Sequence, residues 1–386
     1  MTWERIKDWR KMDISELRKQ LDVLDEELVA LFEKRMRVSE QVAEYKIDSG
    51  KPVMDRQREE QKIAAVKGLA SNAFNARGVE ELFGQIMAIS RKLQYQMLQE
   101  KGMLKKANFI PVKTLCEEQP RIVFQGTEGA YSQAAMDTYF GEDSDSFHVD
   151  TFREAMFAIE EGRADFAVLP IENSTAGIVD EIYDLLVEFE NYIVGEQIIR
   201  ISHALLGLRG SNSEQIKEVY SHPQALMQCA AYLRENASWQ QISCPNTAMA
   251  AKRILDEQDM SKAAIASLYA AKLYGLSVLE ENISDESGNS TRFIIVAGRK
   301  IYKEDAGKIS ICFEVAHAAG SLYHILSHFI YNGLNMTKIE SRPIKDRNWE
   351  YRFFVDFEGN LSDMAVKNAL AGLREEARYL KILGNY

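Results

Sequence analysis

The chain has 386 residues, of which 46% are hydrophobic and 27% charged, and its formal net charge at pH 7 is −11. This length exceeds what one hydrophobic core can serve and predicts two or three domains. The acidic balance argues against nucleic acid as the main partner, and no apolar run is long enough to span a bilayer, so we expect neither nucleic-acid nor membrane binding.

Residues 11–104 predict an all-α domain of three helices. The first should run from about residue 13 to residue 47, the second from near Asp55, and the third over about 79–99. On the first helix, apolar residues step by four and three, as on the buried face of a long amphipathic helix: Leu17, Leu21, Leu24, Leu28 and Leu31.

Two cations interrupt that apolar face. Arg35 takes the position where the next leucine is expected, and Lys46 returns to the same face eleven residues later. A guanidinium on a burying face is costly unless an anion meets it. The anion is either a neighbouring carboxylate, as in ordinary salt bridges of a helical bundle, or a small ligand, and we favour the ligand. Ser90 and Gln94, four residues apart, could hydrogen-bond that ligand together.

Three segments of this domain, LRKQLDVLDEELVALFEKR, VAEYK and KPVMDRQRE, resemble the all-helical chorismate mutases over residues 13–100. The resemblance implies that the two carboxylates of chorismate are clamped by Arg18, Arg35 and Arg58. It implies that Lys46 and Gln94 face the ether oxygen of the breaking bond and that Glu59 holds a ring hydroxyl, with Asp55 and Ser90 as further substrate contacts. A Claisen rearrangement needs a compressed substrate and donors to the ether oxygen, so no cofactor is expected.

Helix geometry predicts a dimer. Arg18 and Arg35 are seventeen residues apart, or roughly 25 Å along an unbroken helix. A ten-carbon substrate cannot touch both residues of one helix. If both bind it, Arg18 comes from a second copy of the chain, and the protein is a homodimer or a larger homo-oligomer.

Residues 105–120, with Lys105, Lys106, Pro111 and Pro120, read as a linker. Strands and helices then alternate over residues 121–300, which predicts an α/β domain. The expected strands are 121–125, 166–169 ending at Pro170, 218–220, 263–266 and 292–297. The expected helices include 151–161, 247–255 and 268–273.

Four segments of the α/β region carry chemistry: GTEGAYS at 126–132, PIENST at 170–175, SHPQ at 221–224 and NSTRF at 289–293. Together they resemble the prephenate dehydratases, whose fold implies two α/β lobes with a cleft between them. In that family prephenate loses carbon dioxide and the ring hydroxyl, and Thr291 is the candidate hydrogen-bond donor to the departing hydroxyl. The expected substrate contacts are Glu172, Asn173, Ser174, Ser221, Gln224, Thr247 and Arg292.

Several of these residues have simpler interpretations. Asn173 could be a turn former, Thr247 a helix N-cap and His222 a turn or packing residue. Thr291 and Arg292 are adjacent and point to opposite faces of a regular strand, so both can enter the cleft only if a bulge or turn intervenes.

Residues 301–386 predict the order βαββαβ, which is typical of a ferredoxin-like α+β domain. They resemble ACT regulatory domains, which implies that L-phenylalanine binds at two segments, Gly320, Ser321 and Leu322, and Glu340, Ser341 and Arg342. The alternative is a dimerisation module without a ligand. His324 and His328 lie four residues apart on one helix, where we expect a solvated or interface face.

We expect no secretory signal at the N-terminus. Residues 1–5 lack the apolar segment of a secretory signal, and no role is assigned to residues 1–10. Four scattered cysteines, without a CxxC pair or a histidine cluster nearby, indicate reduced thiols and no metal site: Cys116, Cys229, Cys244 and Cys312. We therefore expect a cytoplasmic protein.

The sequence as a whole predicts a bifunctional enzyme of L-phenylalanine biosynthesis, a chorismate mutase (isomerase) joined to a prephenate dehydratase (lyase), with feedback inhibition by L-phenylalanine. The first alternative is a monofunctional dehydratase whose helical domain only dimerises. The second is a non-enzymatic amino-acid sensor, because two-lobed α/β clefts also serve as binding proteins.

Overall fold

The computed structural model describes residues 13–103, 108–115, 119–286 and 288–386. The helices are α1 (Ile14–Ser49), α2 (Arg56–Lys67), α3 (Ala73–Glu100), α4 (Tyr131–Phe140), α5 (Phe152–Glu160), α6 (Asp180–Glu188), α7 (Pro223–Gln228), α8 (Ala230–Glu235), α9 (Thr247–Glu257), α10 (Leu268–Tyr274), α11 (Ser321–Tyr331) and α12 (Met364–Glu376). None of the helices in these ranges has the length and apolar character that crossing a bilayer requires.

The strands are β1 (Ile110–Val112), β2 (Arg121–Gln125), β3 (Asp145–Val149), β4 (Phe166–Asn173), β5 (Gly177–Ile178), β6 (Tyr192–Arg200), β7 (Ala204–Gly207), β8 (Glu218–Ser221), β9 (Gln240–Ser243), β10 (Lys262–Ala266), β11 (Ser277–Glu280), β12 (Ser290–Ala297), β13 (Ile301–Lys303), β14 (Lys308–Glu314), β15 (Met336–Pro343), β16 (Tyr351–Glu358) and β17 (Tyr379–Asn385).

The chain divides into two compact units. The described residues within Met1–Lys106, Val315–Leu334 and Ser362–Arg378 form the helical unit, and those within Ala107–Glu314, Asn335–Leu361 and Tyr379–Tyr386 form the α/β unit. The C-terminal part of the chain therefore gives its helices α11 and α12 to the first unit and its strands to the second. The expected roles of residues 1–10, Lys105, Lys106 and Cys116 fall outside the described residues.

In the helical unit, caps fix the ends of the three N-terminal helices. Asp13 accepts a hydrogen bond from the backbone N–H of Ser15, and α1 continues without a break for 36 residues to Gly50, whose φ of 65° is left-handed. Asp55 caps α2 by accepting from the backbone N–H of Arg58 at 3.0 Å. Asn72 caps α3, which consequently begins six residues before the predicted start.

The apolar face of α1 is uncovered within one chain. Leu21, Leu24, Leu28 and Leu31 are each more than half exposed. A continuous row of exposed large apolar side chains on a single helix is typical of a surface that another molecule covers.

The α/β unit contains two large sheets. One has five strands in the order β11-β7-β10-β8-β9. The other has ten strands in the order β15-β16-β14-β17-β6-β12-β4-β2-β3, with β5 paired to β4. Buried apolar residues cover both faces of the second sheet, for example Leu169 and Ile182 on one face and Phe124 and Phe166 on the other.

The predicted linker is partly ordered as a strand. β1 lies inside the 105–120 segment and pairs in parallel with β13, with Ile110 opposite Ile301. The structure thus corrects the expectation that this segment is only a connection.

The C-terminal strands extend the ten-stranded sheet. β14 pairs with β16 and β17, and β15 pairs with β16, all antiparallel. β17 meets β6 in parallel where Gly384 faces Ile193. A Cβ atom at position 384 would lie 2.0 Å from the Ile193 carbonyl oxygen, so this junction requires glycine.

One predicted strand end was wrong. β4 continues through Pro170 to Asn173 and pairs antiparallel with β12. Arg292 faces Glu172 and Phe293 faces Pro170, so Ile171 is the extra residue of a β-bulge. Proline, which lacks a backbone N–H, is tolerated in a sheet at such a bulge.

Two candidate active sites

A polar pocket of about 290 Å³ lies among α1, α2 and α3 of the helical unit. It brings together seven of the eight residues predicted for chorismate: Arg35, Lys46, Asp55, Arg58, Glu59, Ser90 and Gln94. The loop residue Val53 and the helical residues Val38, Val42 and Met87 supply the apolar part of its lining. Residues far apart in sequence converge here because three capped helices pack together.

Five cations line this pocket, and the three that the sequence predicted as ligand contacts, Arg35, Lys46 and Arg58, have no carboxylate partner in the part of the chain that the structure describes. Among the described residues, none of Arg35, Lys46 and Arg58 forms an ion pair within 4.0 Å. Arg35 donates from Nη1 to the Ser90 hydroxyl at 2.7 Å, and Lys46 donates to the Val53 carbonyl at 2.5 Å. Burial lowers the pKa of both Arg35 and Lys46, and nearby carboxylates such as Glu59 oppose that effect. Positive charge is therefore concentrated and only partly compensated.

Gln94 adds a neutral polar group to the same lining. Its side chain is buried, and its Oε1 has no hydrogen-bond partner among the described residues. A buried amide oxygen without a partner is costly, which favours a polar ligand at this position. The sequence had placed Ser90 and Gln94 on one face of a helix, and both line the pocket.

Arg18 does not line this pocket. It is exposed near the start of α1, seventeen residues before Arg35 on the same unbroken helix. The structure of one chain thus separates it from the other predicted clamp residues.

Arg91, which the sequence analysis missed, also lines this pocket. Its side chain is 8% exposed and donates to Glu59 at 2.5 Å and to Glu376 at 2.9 Å. Burial by itself lowers the pKa of Arg91, but the charges of Glu376 and Glu59 outweigh it and raise the pKa. No sequence signal reveals this arginine, because one of its partners lies 285 residues away.

A second cavity, of about 780 Å³, lies in the α/β unit. Parts of all four predicted segments line it, including Thr127, Asn173, Gln224 and Thr291, and Thr247 lies beside them. β2 and β4, two strands of the larger sheet, end at this cavity, and the helices that follow β8 and β9 begin at it. Open α/β sheets place ligands at such strand ends.

Thr291 is 9% exposed and is held by Asn173. The Asn173 side chain donates from Nδ2 to the Thr291 hydroxyl at 2.9 Å and to Asn289 Oδ1 at 2.7 Å. Because the Thr291 oxygen accepts this bond, its own proton remains available for donation into the cavity. Asn173 Oδ1 also accepts from the backbone of Ala176 at 2.9 Å, so Asn173 both forms a turn and shapes the site.

The N-caps of α9 and α7 differ from the simpler interpretations of Thr247 and His222 given above. Asn246, not Thr247, caps α9 by accepting from the backbone N–H of Met249 at 2.7 Å. His222 caps α7, its Nδ1 accepting from the backbone N–H of Gln224 at 3.2 Å. Thr247 and Gln224 therefore lie in the first turns of their helices, and both line the cavity.

Tyr131 and His203 form a buried pair in the cavity wall that the sequence analysis did not single out. His203 is 2% exposed; its Nδ1 lies 3.3 Å from the Tyr131 hydroxyl and its Nε2 lies 3.0 Å from Gln228 Oε1. Burial lowers the pKa of His203 and raises that of Tyr131, so both are neutral at pH 7.

The structure does not bring Glu172 and Arg292 to this cavity. Strand alternation places Arg292 on the face opposite Thr291, and the bulge lies beyond Arg292, where it cannot reverse that direction. The Arg292 guanidinium is 3.0 Å from Asp356 and 3.6 Å from Glu196. Glu172 pairs with Lys338 at 2.8 Å.

Two predicted serines also lie outside the cavity lining. Ser221 is fully buried and donates to the Ile265 carbonyl at 2.6 Å. The Ser174 hydroxyl accepts from the Ser290 backbone N–H at 2.9 Å. Their hydrogen bonds stabilise the ends of the strands that carry the site.

The two predicted phenylalanine-binding segments occupy one helix start and one strand. Gly320 precedes α11 with a left-handed φ of 79°, and Ser321 and Leu322 form the first turn. Glu340, Ser341 and Arg342 lie on β15, where Arg342 pairs with Asp180 and Asp184.

His328 lies on α11, but its environment differs from the prediction. It is 1% exposed and its Nε2 lies 3.2 Å from Glu376. The expectation that His324 and His328 share a solvated or interface face is thus corrected for His328, which packs inside the helical unit.

Comparison with known protein families matches the helical region and the α/β region, each to a different family. Residues 17–95 match the family described as chorismate mutase type II, and residues 122–301 match the prephenate dehydratase family. A bifunctional chorismate mutase/prephenate dehydratase of Aquifex aeolicus is 32% identical over 376 residues, which cover 97% of this chain and 98% of that protein.

Two solved structures resemble about two thirds of the chain. A prephenate dehydratase from Arthrobacter aurescens, in complex with L-Phe, is 30% identical with a TM-score of 0.64, covering 69% of this chain and 89% of that one. A protein described as a quorum quenching acylase, GqqA, is 32% identical with the same TM-score, covering 69% of this chain and 97% of that one.

Proposed function

From the premise that this chain belongs to the family of bifunctional chorismate mutase/prephenate dehydratases, we propose a role for the residues of each site. The enzyme rearranges chorismate to prephenate and converts prephenate to phenylpyruvate, two steps in the formation of L-phenylalanine. The pocket of the helical unit is assigned to the first reaction and the cavity of the α/β unit to the second.

The mutase assignment rests on one observation: Arg35, Lys46 and Arg58 share a pocket, and among the described residues none of them forms an ion pair with a carboxylate within 4.0 Å. Arg35 and Arg58 bind the carboxylates of chorismate and hold it in the compressed conformer that reacts. Lys46 and Gln94 donate to the ether oxygen as negative charge develops on it in the transition state. Glu59 accepts from the ring hydroxyl, while Asp55 and Ser90 fix the helix start and the Arg35 side chain.

Arg18 completes this pocket from a second copy of the chain. Two features support the proposal. Arg18 is roughly 25 Å from Arg35 along α1, too far for one substrate to reach both. The leucine face of α1 is exposed in a single chain, and pairing with the same face of a second copy would bury it. The protein is thus a homodimer, or a larger assembly built from that dimer.

In the dehydratase cavity, Thr291 donates a hydrogen bond to the ring hydroxyl of prephenate as it departs. Carbon dioxide leaves at the same time, and its bonding electrons complete the aromatic ring. A threonine hydroxyl is a weak acid, so it acts as an oriented donor, and Asn173 holds its oxygen in place. Gln224 and Thr247 contact the substrate from the other lobe.

We also propose an ACT-type regulatory role, with L-phenylalanine as the ligand, for residues 301–386, whose strands and helices from β14 onward follow in the order βαββαβ. The supporting feature is the sheet order β15-β16-β14-β17, in which the first strand in sequence is central and the last lies beside it. The dehydratase of Arthrobacter aurescens is described in complex with L-Phe. In the helical unit, the first turn that Ser321 and Leu322 form after Gly320 offers a helix start for the carboxylate of the ligand.

A cytoplasmic location belongs to the same proposal. Cys229, Cys244 and Cys312 are buried free thiols, which suits a reducing compartment.

The proposal is tested by supplying chorismate to the purified protein and following prephenate and phenylpyruvate, with and without L-phenylalanine. We expect prephenate to appear first, phenylpyruvate to follow, and L-phenylalanine to slow the second step. A protein that converts prephenate but leaves chorismate unchanged would instead be a monofunctional dehydratase with a helical dimerisation domain. The only partly compensated cations of the helical pocket count against that alternative.

A further inference from the structure

The mutase pocket is backed by charged groups from the far end of the chain. Glu376, the last residue of α12, accepts from Arg91 Nε at 3.1 Å and from Arg91 Nη2 at 2.9 Å. Arg91 in turn donates to Glu59, a residue of the pocket. Both Glu376 and Arg91 have side chains 8% exposed, so this pair is shielded from solvent.

The neighbouring carboxylate supports the pocket in the same way. Glu375 accepts from the Tyr95 hydroxyl at 2.6 Å and from the backbone N–H of Met54 at 3.1 Å. Met54 directly follows Val53, whose carbonyl receives the Lys46 ammonium. The C-terminal end of α12 therefore contacts both the arginine that holds Glu59 and the loop that holds Lys46.

We propose that Glu376 and Arg91 are positioning residues of the mutase, so that α12 completes a site whose substrate contacts all lie in the first hundred residues of the chain. Glu376 fixes the guanidinium of Arg91, and Arg91 fixes the carboxylate of Glu59. The inference rests on the proposed role of Glu59 as the acceptor for the ring hydroxyl.

The geometry leaves Glu59 free to perform that role. Arg91 contacts Oε2 of Glu59, and Oε1 has no hydrogen bond among the described residues. The Glu59 side chain is 23% exposed, whereas the Arg91 side chain is only 8% exposed. Arg91 thus orients one oxygen of the carboxylate, while the other oxygen can accept from a ligand.

His328 also restricts the position of the Glu376 carboxylate. Its ring lies 3.2 Å from Glu376, and Gly372 packs so closely on that ring that a Cβ at position 372 would lie 2.2 Å from it. Lys92, beside Arg91 on α3, is tied instead to the carbonyl of Ser327 at 3.0 Å. The Glu376 carboxylate is therefore held between two buried groups, Arg91 and His328.

The test is a double-mutant cycle on the full-length protein with Glu376→Gln, Arg91→Gln and the double variant, using chorismate as substrate. We expect Glu376→Gln to lower mutase kcat/KM between about 10- and 100-fold, the cost of misplacing a catalytic group. In the Arg91→Gln background, Glu376→Gln should cost little more, because both changes break the same chain of contacts.

Three controls separate positioning from general destabilisation. Dehydratase activity on supplied prephenate, measured on the same samples without L-phenylalanine, should stay within about twofold of wild type. Arg374→Gln, an exposed charge on the same helix, should leave both activities unchanged. Arg91→Lys keeps the positive charge but not the fork that reaches two carboxylates, so it should lose mutase activity while retaining the fold.

The outcomes separate the positioning role of Glu376 and Arg91 from the role of Glu59 and from the mutase function itself. If Glu376→Gln keeps full mutase activity, or if the two losses simply multiply in the double variant, the positioning role is refuted. If Glu59→Gln is fully active, the assignment of Glu59 is wrong and this inference falls with it. If the wild-type protein does not rearrange chorismate, the proposed mutase function itself is refuted.

Discussion

The hydroxyl of Thr291 carries the dehydratase reaction in our account, and its neighbours define what a substitution should do. Thr291→Val keeps the shape of the side chain but removes the donor, and it leaves the Asn173 amide without its acceptor. We expect dehydratase kcat to fall about 10²–10³-fold, as when an oriented donor is removed. Thr291→Ser keeps the hydroxyl and should retain most activity.

The mutase reaction of the same molecule supplies the control for these two variants. Chorismate should still be consumed at the wild-type rate, with prephenate accumulating in place of phenylpyruvate. Equal dehydratase rates for Thr291→Val and wild type would contradict the role of the hydroxyl.

His203 should make stability depend on pH. Burial lowers its pKa in the folded state, whereas an unfolded chain has a histidine pKa of about 6.5. Above that value both states are neutral; below it the unfolded state binds a proton that the folded state resists. The contribution of His203 to the free energy of unfolding is therefore lost as pH falls, by at most about 1.4 kcal/mol per pH unit.

The measurement is the urea midpoint of unfolding at several values between pH 5.5 and 7.5. His203→Gln, which keeps a polar side chain beside Gln228, should show a weaker decline toward low pH than wild type. Identical declines would show that another group carries the effect.

For single residues, the sequence predicts a role correctly where that role follows from spacing along one helix or strand. Seven of the residues predicted for the mutase line one pocket, because helix periodicity determines which face of its helix each residue occupies. Strand alternation correctly separates Thr291 from Arg292. The sequence analysis missed Arg91 and His203 because their partners come from remote parts of the chain, and such pairing leaves no local sequence pattern.

Between elements, Arg292 joins β12 to the C-terminal strands. It contacts Asp356 on β16 and Glu196 on β6, and Asp356 also accepts from the Ser310 hydroxyl of β14 at 2.5 Å. Arg292→Met would leave the buried Asp356 without its cation, which should cost about 3–5 kcal/mol of stability. Glu196 would keep Lys308 as its partner. Asp356→Asn should destabilise the protein in the same direction.

Urea unfolding and prephenate kinetics together test this assignment. We expect both variants to unfold at lower urea while the KM for prephenate changes little, because Arg292 lies off the cavity. A large rise in KM for Arg292→Met alone, with Asp356→Asn unaffected, would mean that Arg292 touches the substrate after all.

Gly384 sets the junction between β17 and β6. Gly384→Ala forces a Cβ toward the Ile193 carbonyl, and the two strands must separate to accept it. We expect a loss of about 1–3 kcal/mol in the free energy of unfolding, as for other overpacked sites. Gly307→Ala is the matched control, since its added Cβ meets no atom within 4 Å. Equal unfolding midpoints for the two variants would contradict a tight junction.

Element prediction succeeded where periodicity was strong and failed where turns were subtle. The βαββαβ order after residue 300 and the unbroken α1 follow from apolar spacing. β6 was missed because the polar pair Glu196 and Gln197 interrupts its apolar pattern. The predicted stop at Pro170 failed because a bulge lets the strand continue.

On the scale of the whole molecule, the leucine face of α1 and the distance from Arg18 to Arg35 make the same prediction. In our proposal the mutase pocket of one chain lacks Arg18, and its apolar face on α1 is exposed, so a twofold partner would supply what both lack. The sequence indicated this arrangement because it follows from helix length alone. It could not indicate that α12, from the other end of the chain, would contact Arg91, a residue of the same pocket.

The most direct test of a pocket shared between two chains mixes two inactive variants, Arg18→Ala and Arg35→Ala, under conditions that allow subunits to exchange. Each variant alone should lack mutase activity and keep dehydratase activity. In a mixed dimer one pocket receives both mutations and the other receives neither, so an equal mixture should recover about a quarter of the wild-type mutase activity. If exchange is verified and no activity returns, Arg18 and Arg35 act within one chain or not at all, and the shared pocket is refuted.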